Sequence, residues 1–189
     1  MALPQVGQAE LLANVLADAV RVHAPRSVAV VGCAGGNGFD RVPLGTRLVG
    51  IDVNPDYVAA ARARHGAREG LELFVADVTA DALPFAPVEL VYAGLLLEYV
   101  EPVIALRRLA AKLLPGAMLV AVLQLPSAAR AEVTPSPYTS LAALAASMRL
   151  VPPTVLTRAA IGEAYTLVGA DVATASGGKR FAVQTYRRS

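Results

Sequence analysis

Hydrophobic positions switch between helical and strand-like spacing along the first two thirds of the chain. Apolar residues from Leu11 to Val20 recur on one helical face, and this first helix should end near Pro25. Further helices are predicted over 55–66 and 103–114, the second ended by Pro115 and Gly116. Between the helices lie five short runs of apolar or β-branched residues, which predict buried strands at 27–31, 47–52, 71–76, 90–93 and 117–125.

The last third of the chain has a different pattern. A stretch rich in proline and serine at 133–140 precedes two helical patterns, at 141–150 and 154–167. Two alternating segments, 171–176 and 180–187, then flank Gly177, Gly178 and Lys179. Glycines between two alternating segments are typical of a β-hairpin.

This order of elements predicts an α/β fold. Strands that alternate with helices form a parallel sheet covered on both faces, and a terminal hairpin adds an antiparallel strand. We therefore expect a doubly wound, mostly parallel seven-stranded sheet, Rossmann-like, with an antiparallel C-terminal hairpin strand. No linker separates a second domain, so residues 1–189 should form one domain. Its parts would be an N-terminal helix region (1–26), a substrate-side cover with helices (128–168) and the hairpin (169–189).

Composition narrows the classes of function. Hydrophobic residues make up 55% of the chain and charged residues 17%, which suits a large core, and the net charge of +2 is too small to indicate nucleic-acid binding. A lone cysteine, Cys33, excludes an internal disulfide, and two distant histidines give no metal-ligand spacing. The N-terminal stretch carries acidic residues and lacks a signal-peptide pattern, and the apolar run 113–125 is too short for a membrane span. We expect a cytoplasmic protein without metal, membrane or nucleic-acid partners.

A glycine-rich turn follows the first predicted strand, in the stretch VAVVGCAGGNGFD (28–40). Ligands of open parallel sheets bind at the carboxyl ends of strands, where this turn lies. The glycines do not fit the dinucleotide-binding spacing, and no Gly-Lys-Ser/Thr follows for a nucleoside triphosphate. Small residues at Gly32, Ala34 and Gly36 would still let a ligand lie against the backbone. A tight turn without any ligand is the alternative.

Two aspartates end the next two predicted strands. Asp52 could accept hydrogen bonds from both hydroxyls of a ribose, and Asp77 could accept one from an adenine amino group. Either residue could instead be a helix cap or a turn former, and Asn54-Pro55 after Asp52 has a cap-like character.

The order of motifs VVGCAGGNG, GIDVNPDYVAAARAR, LFVADV, LVYAGLLLEYVEP and KLLPGAMLVAVLQLPS resembles the class I S-adenosylmethionine-dependent methyltransferases over about 27–127. That resemblance implies S-adenosylmethionine as the cofactor. The methionine part would lie against Gly32, Ala34 and Gly36, the ribose against Asp52, the adenine against Val53, Asp77 and Val78, and the sulfonium beside Ala93. Two positions depart from the family pattern: Val30 replaces an acidic residue, and Ala34 replaces the middle glycine.

The implied function is in-line methyl transfer to a small-molecule acceptor, with a protein acceptor as the second choice and a homodimer left open. Such a reaction needs no catalytic triad, and the sequence contains none. A non-catalytic S-adenosylmethionine-binding or scaffolding protein is the first alternative. An NAD-dependent oxidoreductase is the second, and the failed glycine spacing disfavours it.

Glu98 is the candidate catalytic base. It follows three leucines just beyond the fourth predicted strand, where partial burial would raise its pKa and suit it to accept a proton. Alternatively, Glu98 lies on the solvated face of a short helix or caps a neighbouring helix. Tyr99 or Tyr138 could supply the polar contact instead, and Cys33 is expected to be structural.

Overall fold

The computed structural model describes residues 4–80, 82–126 and 148–189. Four α-helices lie in these ranges: α1 (Pro4–His23), α2 (Pro55–His65), α3 (Pro102–Ala110) and α4 (Pro153–Gly162). Seven strands accompany them: β1 (Ser27–Val31), β2 (Arg47–Asp52), β3 (Leu71–Val75), β4 (Val88–Gly94), β5 (Leu113–Gln124), β6 (Tyr165–Thr174) and β7 (Arg180–Arg188).

The seven strands form one sheet in the order β3-β2-β1-β4-β5-β7-β6. The first five strands pair in parallel, and β7 is antiparallel to both β5 and β6. The strand order reverses between β1 and β4, as in a doubly wound sheet. The predicted fold class is therefore confirmed, including the strand number and the antiparallel hairpin.

Both faces of the sheet are covered by helices. Alternate residues of β1 point to opposite faces, so Ala29 packs in one core and Val28 in the other. The first core includes buried side chains of α3 and α4, such as Leu106 and Leu156. The second core includes Leu16 of α1 and Ala61 of α2. This double cover explains why the central strands are almost continuously apolar.

One helix is shorter than the sequence indicates, and the following strand is longer. The helix α3 ends at Ala110 instead of residue 114, and β5 begins at Leu113 instead of residue 117. Pro115 and Gly116 therefore lie inside the strand, where the register between β4 and β5 shifts. Val88 of β4 pairs with Leu113 and Leu90 pairs with Met118, so the Pro-Gly pair lies in extra residues of β5 that bulge out of the pairing.

The hairpin also begins earlier than predicted. The expected helix 154–167 ends at Gly162, and β6 covers Tyr165–Thr174, not 171–176. Pairing with β7 and the burial of Tyr165, whose hydroxyl donates to the carbonyl of Leu106 at 3.0 Å, outweigh the local helical pattern. Of the predicted helix 141–150, only residues 148–150 are described, and they are not helical. The stretch 133–140 lies outside the described residues.

Candidate functional site

The glycine turn after β1 depends on small residues. Gly32 and Gly36 have φ values of +73° and +80°, which favour glycine. A β-carbon at Gly36 would lie 2.7 Å from the ring of His65, and one at Gly32 would lie 3.3 Å from Leu96. The amide of Gly32 donates to the carbonyl of Ile51 at 2.8 Å, which ties the turn to β2.

Ala34 sits at the middle of this turn in a strained backbone conformation. Its φ is +46°, in the left-handed region that costs a residue with a β-carbon about 1–2 kcal/mol. Its amide donates to Oδ2 of Asp52 at 2.8 Å. A hydrogen bond to an ionised carboxylate is strong enough to hold such a conformation.

Asp52, at the end of β2, is oriented by two backbone amides. Besides Ala34, the amide of Asn54 donates to Asp52 Oδ1 at 2.9 Å. Asn54 itself caps α2, with its side-chain oxygen accepting from the amide of Asp56 at 2.9 Å. The helix-cap alternative for Asp52 is therefore wrong, although Asp52 does form a local turn. A carboxylate has about four acceptor positions, so two backbone bonds leave capacity for a ligand's hydroxyls.

Asp77, just beyond β3, is held in its charged form. The hydroxyl and the amide of Thr79 both donate to Asp77 Oδ1, each at 2.7 Å, and these bonds lower the pKa of Asp77. The amide of Ala76 donates to the carbonyl of Asp52 at 3.0 Å. The structure thus brings Asp77 and Asp52 to the same edge of the sheet.

The three remaining residues of the predicted cofactor site differ in exposure. Val53, beside Asp52, is 61% exposed, which is unusual for valine and leaves an apolar surface at the strand ends. Val78 is almost fully buried. Ala93 is fully buried in β4, between Val31 of β1 and Ala121 of β5.

The turn after β4 approaches the glycine turn. Leu95 has a φ of +56°, and its amide donates to the carbonyl of Val122 at 3.0 Å. This conformation brings the next residue, Leu96, against Gly32. The ends of β1 and β4 are therefore in contact where the strand order reverses.

Glu98 lies in the same segment and is 2% exposed. Its Oε1 accepts a hydrogen bond from the amide of Gln124 at 2.6 Å, and its Oε2 has no partner within the described ranges. Burial raises the pKa of Glu98 to about 7. Neither the solvated-face alternative nor the helix-cap alternative is correct, since Glu101 caps α3. A role for Glu98 as a base stays a prediction.

A cavity of about 320 Å³ adjoins Glu98, and we refer to it as the Glu98 cavity. The described residues that line it are Leu97, Glu98, Tyr99, Val100, Glu101, Pro102, Arg149 and Val151. Tyr99 is half-buried, and burial raises the pKa of its phenol. Tyr138, the other candidate tyrosine, lies outside the described residues.

Some contacts of the site left no signal in the sequence. Arg64 of α2 donates to the carbonyl of Gly35 at 2.8 Å, and His65 packs on Gly36. Arg149 and Val151 reach the Glu98 cavity from a distant part of the chain. Such long-range contacts depend on tertiary packing, which no local spacing reveals.

Two further expectations concern membranes and metals. None of the helices in the described parts of the chain is long and apolar enough to cross a membrane. Within residues 4–80, 82–126 and 148–189, no group of three or more histidine, cysteine, aspartate or glutamate side chains could hold a metal ion.

Comparison with known proteins shows which families and folds the chain resembles. Residues 29–121 match a family model described as a methyltransferase domain. The N-methyltransferase NodS from Bradyrhizobium japonicum WM9, solved with S-adenosyl-L-homocysteine, is 20% identical with a TM-score of 0.71, covering 95% of this chain and 86% of that chain. Magnesium protoporphyrin IX methyltransferase (ChlM) from Synechocystis PCC 6803, with bound SAM, is 10% identical with a TM-score of 0.72. The match covers 97% of this chain and 81% of that chain. The [4+2]-cyclase SpnF is 15% identical with a TM-score of 0.72, and the match covers 94% of this chain and 79% of that chain.

At these identities the solved structures show a shared fold, and the family model shows a methyltransferase domain over residues 29–121. Among curated proteins, no match to this sequence was found. Residues 29–121 match the methyltransferase-domain family, and the fold is shared with S-adenosylmethionine-dependent methyltransferases of known structure.

Proposed function

We propose that the chain binds S-adenosylmethionine at the carboxyl ends of β1 to β4 and transfers its methyl group to a small-molecule acceptor. The observation that carries this proposal is the position of Asp52. Two backbone amides hold its carboxylate between the glycine turn and the start of α2, at the edge where a ribose would lie.

The residues present fit this cofactor. Gly32 and Gly36 carry no side chain, so a ligand could lie against the backbone of the turn. Asp52 would accept hydrogen bonds from the ribose hydroxyls. Asp77, held ionised by Thr79, would accept from the adenine amino group.

The adenine ring needs an apolar surface as well as a polar edge. Val53 is exposed next to Asp52 and would cover one face of the ring, with Val78 beside its edge. Ala34 would line the methionine part with the two glycines, and Ala93 would lie beside the sulfonium. The exposure of Val53 supports this assignment, because burying it against a ligand removes apolar surface from water.

When bound, the cofactor supplies a methyl group that is already activated by a sulfonium, so the protein must position a nucleophile and exclude water. In the proposed reaction Glu98 accepts the proton of the nucleophile. Its raised pKa, near 7, suits a base that works at neutral pH. Glu98→Gln should then lower turnover by about 10²-fold or more while the cofactor affinity is preserved.

One departure from the family pattern favours a second candidate function. Val30 is buried in the core of β1, so an acidic group is missing where the family usually has one. The fold is also not tied to methyl transfer, since a [4+2]-cyclase shares it. The alternative is a protein that binds the cofactor without using its methyl group.

An assay for adenosylhomocysteine formation tests the proposal. The full chain is incubated with S-adenosylmethionine and sets of small amines, alcohols and thiols, and the product is measured by mass spectrometry. We expect acceptor-dependent formation of adenosylhomocysteine and a product heavier by one methylene unit. Cofactor binding without turnover on any set would support the non-catalytic alternative, and failure to bind the cofactor would contradict both.

A further inference from the structure

The Glu98 cavity is lined by apolar residues as well as charged ones. Apolar side chains of Leu97, Val100 and Val151 line it together with Pro102. It is formed by the segment after β4 and by residues before α4. The segment after β4 also carries Leu96, which contacts the glycine turn.

Glu98 is the buried polar group of this cavity. Only one of its two carboxylate oxygens is satisfied, by the amide of Gln124, while Oε2 has no partner among the described residues. A buried carboxylate oxygen without a partner costs free energy, because it has lost its water and gained nothing in return. A ligand that donates a hydrogen bond to Oε2 would remove that cost.

The charged residues around the cavity indicate which type of hydrogen-bond donor would suit Oε2 of Glu98. Two carboxylates, Glu98 and Glu101, line it against one guanidinium, Arg149. Glu101 and Arg149 are exposed to solvent, so their charges are screened more strongly than that of Glu98. An ionised carboxylate only accepts hydrogen bonds, and a cationic donor compensates a buried carboxylate best.

We propose that the Glu98 cavity binds the protonated amino group of a small, partly apolar molecule, with Oε2 of Glu98 as the anchor. This inference rests on the proposed function in one respect: the bound amine would be the acceptor class of the methyl transfer. The binding itself needs no cofactor. The two claims can therefore fail separately.

The test uses three probes with the same ring: cyclohexylamine, cyclohexanol and cyclohexanecarboxylate. Each is titrated at pH 8 into the full ¹⁵N-labelled chain, with and without adenosylhomocysteine, and backbone amide shifts are recorded. Cyclohexylamine should bind with a millimolar dissociation constant and shift the amides of Leu97, Tyr99, Val100 and Val151. Cyclohexanol should bind at least tenfold more weakly, and the carboxylate should not bind.

Matched variants identify the anchor. Glu98→Gln keeps the shape of the side chain and should lower the affinity for cyclohexylamine at least tenfold. Glu163→Gln removes the same charge at the far end of α4, where Glu163 pairs with Arg107, and should change nothing. Equal binding of amine and alcohol would overturn the inference. So would an unchanged amine affinity in Glu98→Gln, or the absence of shifts around the cavity.

A pH titration of the unmodified chain covers the case in which Glu98→Gln fails to fold. Cyclohexylamine stays protonated between pH 6 and 8, as a lysine side chain does. The other ionisable groups lining the cavity are Tyr99, Glu101 and Arg149. Because the pKa of Glu98 is about 7, amine affinity should rise about tenfold over this range while cyclohexanol affinity stays constant. A flat profile for the amine would contradict the inference.

The outcomes separate this inference from the proposed function. Amine binding without cofactor binding would contradict only the methyltransferase proposal. Cofactor binding without amine binding would contradict only the assignment of the Glu98 cavity.

Discussion

The amide of Ala34 lies 2.8 Å from Oδ2 of Asp52, and this hydrogen bond joins the glycine turn to the end of β2. It holds Ala34 in a left-handed conformation that an alanine rarely adopts. The same carboxylate would receive the ribose of the cofactor. The shape of the turn depends on this side chain, and in the proposed site the contact with the ribose would depend on it as well.

Replacing Asp52 tests this double dependence. Asp52→Ala should weaken the binding of adenosylhomocysteine by about 1.5–3 kcal/mol, since hydrogen bonds to a charged group are lost. The chain should still fold, because Asp52 is only half-buried and the core side chains of β2 are unchanged. Calorimetry and circular dichroism provide the two readouts.

The matched control is Asp56→Ala, which removes an exposed carboxylate in the first turn of α2. Its effect on affinity should be small. Unchanged affinity in Asp52→Ala, or loss of the fold, would mean that Asp52 has only a structural role.

Glu98 should give the protein an unusual dependence of stability on pH. Burial raises its pKa from 4.5 to about 7. Between these values the unfolded state has released the proton and the folded state retains it, so the free energy of unfolding falls as pH rises. A shift of this size corresponds to about 3 kcal/mol.

Urea denaturation at pH 4.5 and pH 7.5 measures this contribution. Other carboxylates with lowered pKa values, such as Asp77 and Glu89, act in the opposite direction, so wild type is compared with Glu98→Gln. The stability of wild type relative to the variant should fall by about 3 kcal/mol over this range. A difference that does not change with pH would show that Glu98 titrates normally.

Gly50 in β2 is predicted to be sensitive to any added side chain. A β-carbon there would lie 2.7 Å from both Phe39 Cζ and Leu73 Cδ2. Because Phe39 is fully buried and cannot move aside, Gly50→Ala should lower the free energy of unfolding by about 1–3 kcal/mol. Gly169→Ala in β6 is the control, since its β-carbon would lie 3.5 Å from Thr185, an ordinary contact. Equal stabilities of the two variants would contradict this account of the packing.

Cys33 should be unreactive in the folded protein. Burial, with the charge of Asp52 as a smaller cause, raises the pKa of the thiol to about 12, so almost no thiolate exists at pH 8. Reaction with a thiol-specific disulfide reagent should be at least about 100-fold slower than in urea. Cys33→Ala should also retain cofactor affinity. Rapid labelling of the native chain, or loss of affinity in the variant, would argue for a functional thiol.

The sequence predicts the central sheet well, because local patterns and tertiary structure agree there. The bounds of β1 and β2 match the predicted strands, since their apolar runs are delimited by turn residues. The prediction was wrong where local signals misled. Pro115-Gly116 is typical of a helix end but lies within β5, and a helical pattern continues into residues that pair as β6.

The candidate cofactor site and Glu98 also include features that the sequence predicts and features that only the fold reveals. Spacing along the chain placed Asp52 and Asp77 at neighbouring strand ends, because parallel strands end at one edge of the sheet. The sequence suggests partial burial of Glu98, but its nearly complete burial and its hydrogen bond from the amide of Gln124 could not be predicted, since Gln124 is 26 residues away on β5. The backbone bonds to Asp52 likewise follow from the fold and from no local motif.

The central claim is that the glycine turn, Asp52 and Asp77, at the carboxyl ends of β1 to β3, form a binding site for S-adenosylmethionine. A calorimetric titration with adenosylhomocysteine and with NAD tests it. We predict saturable binding of adenosylhomocysteine at one site per chain, with a dissociation constant in roughly the micromolar range. NAD should give no saturable signal. Saturable binding of NAD with no heat from adenosylhomocysteine would contradict the account.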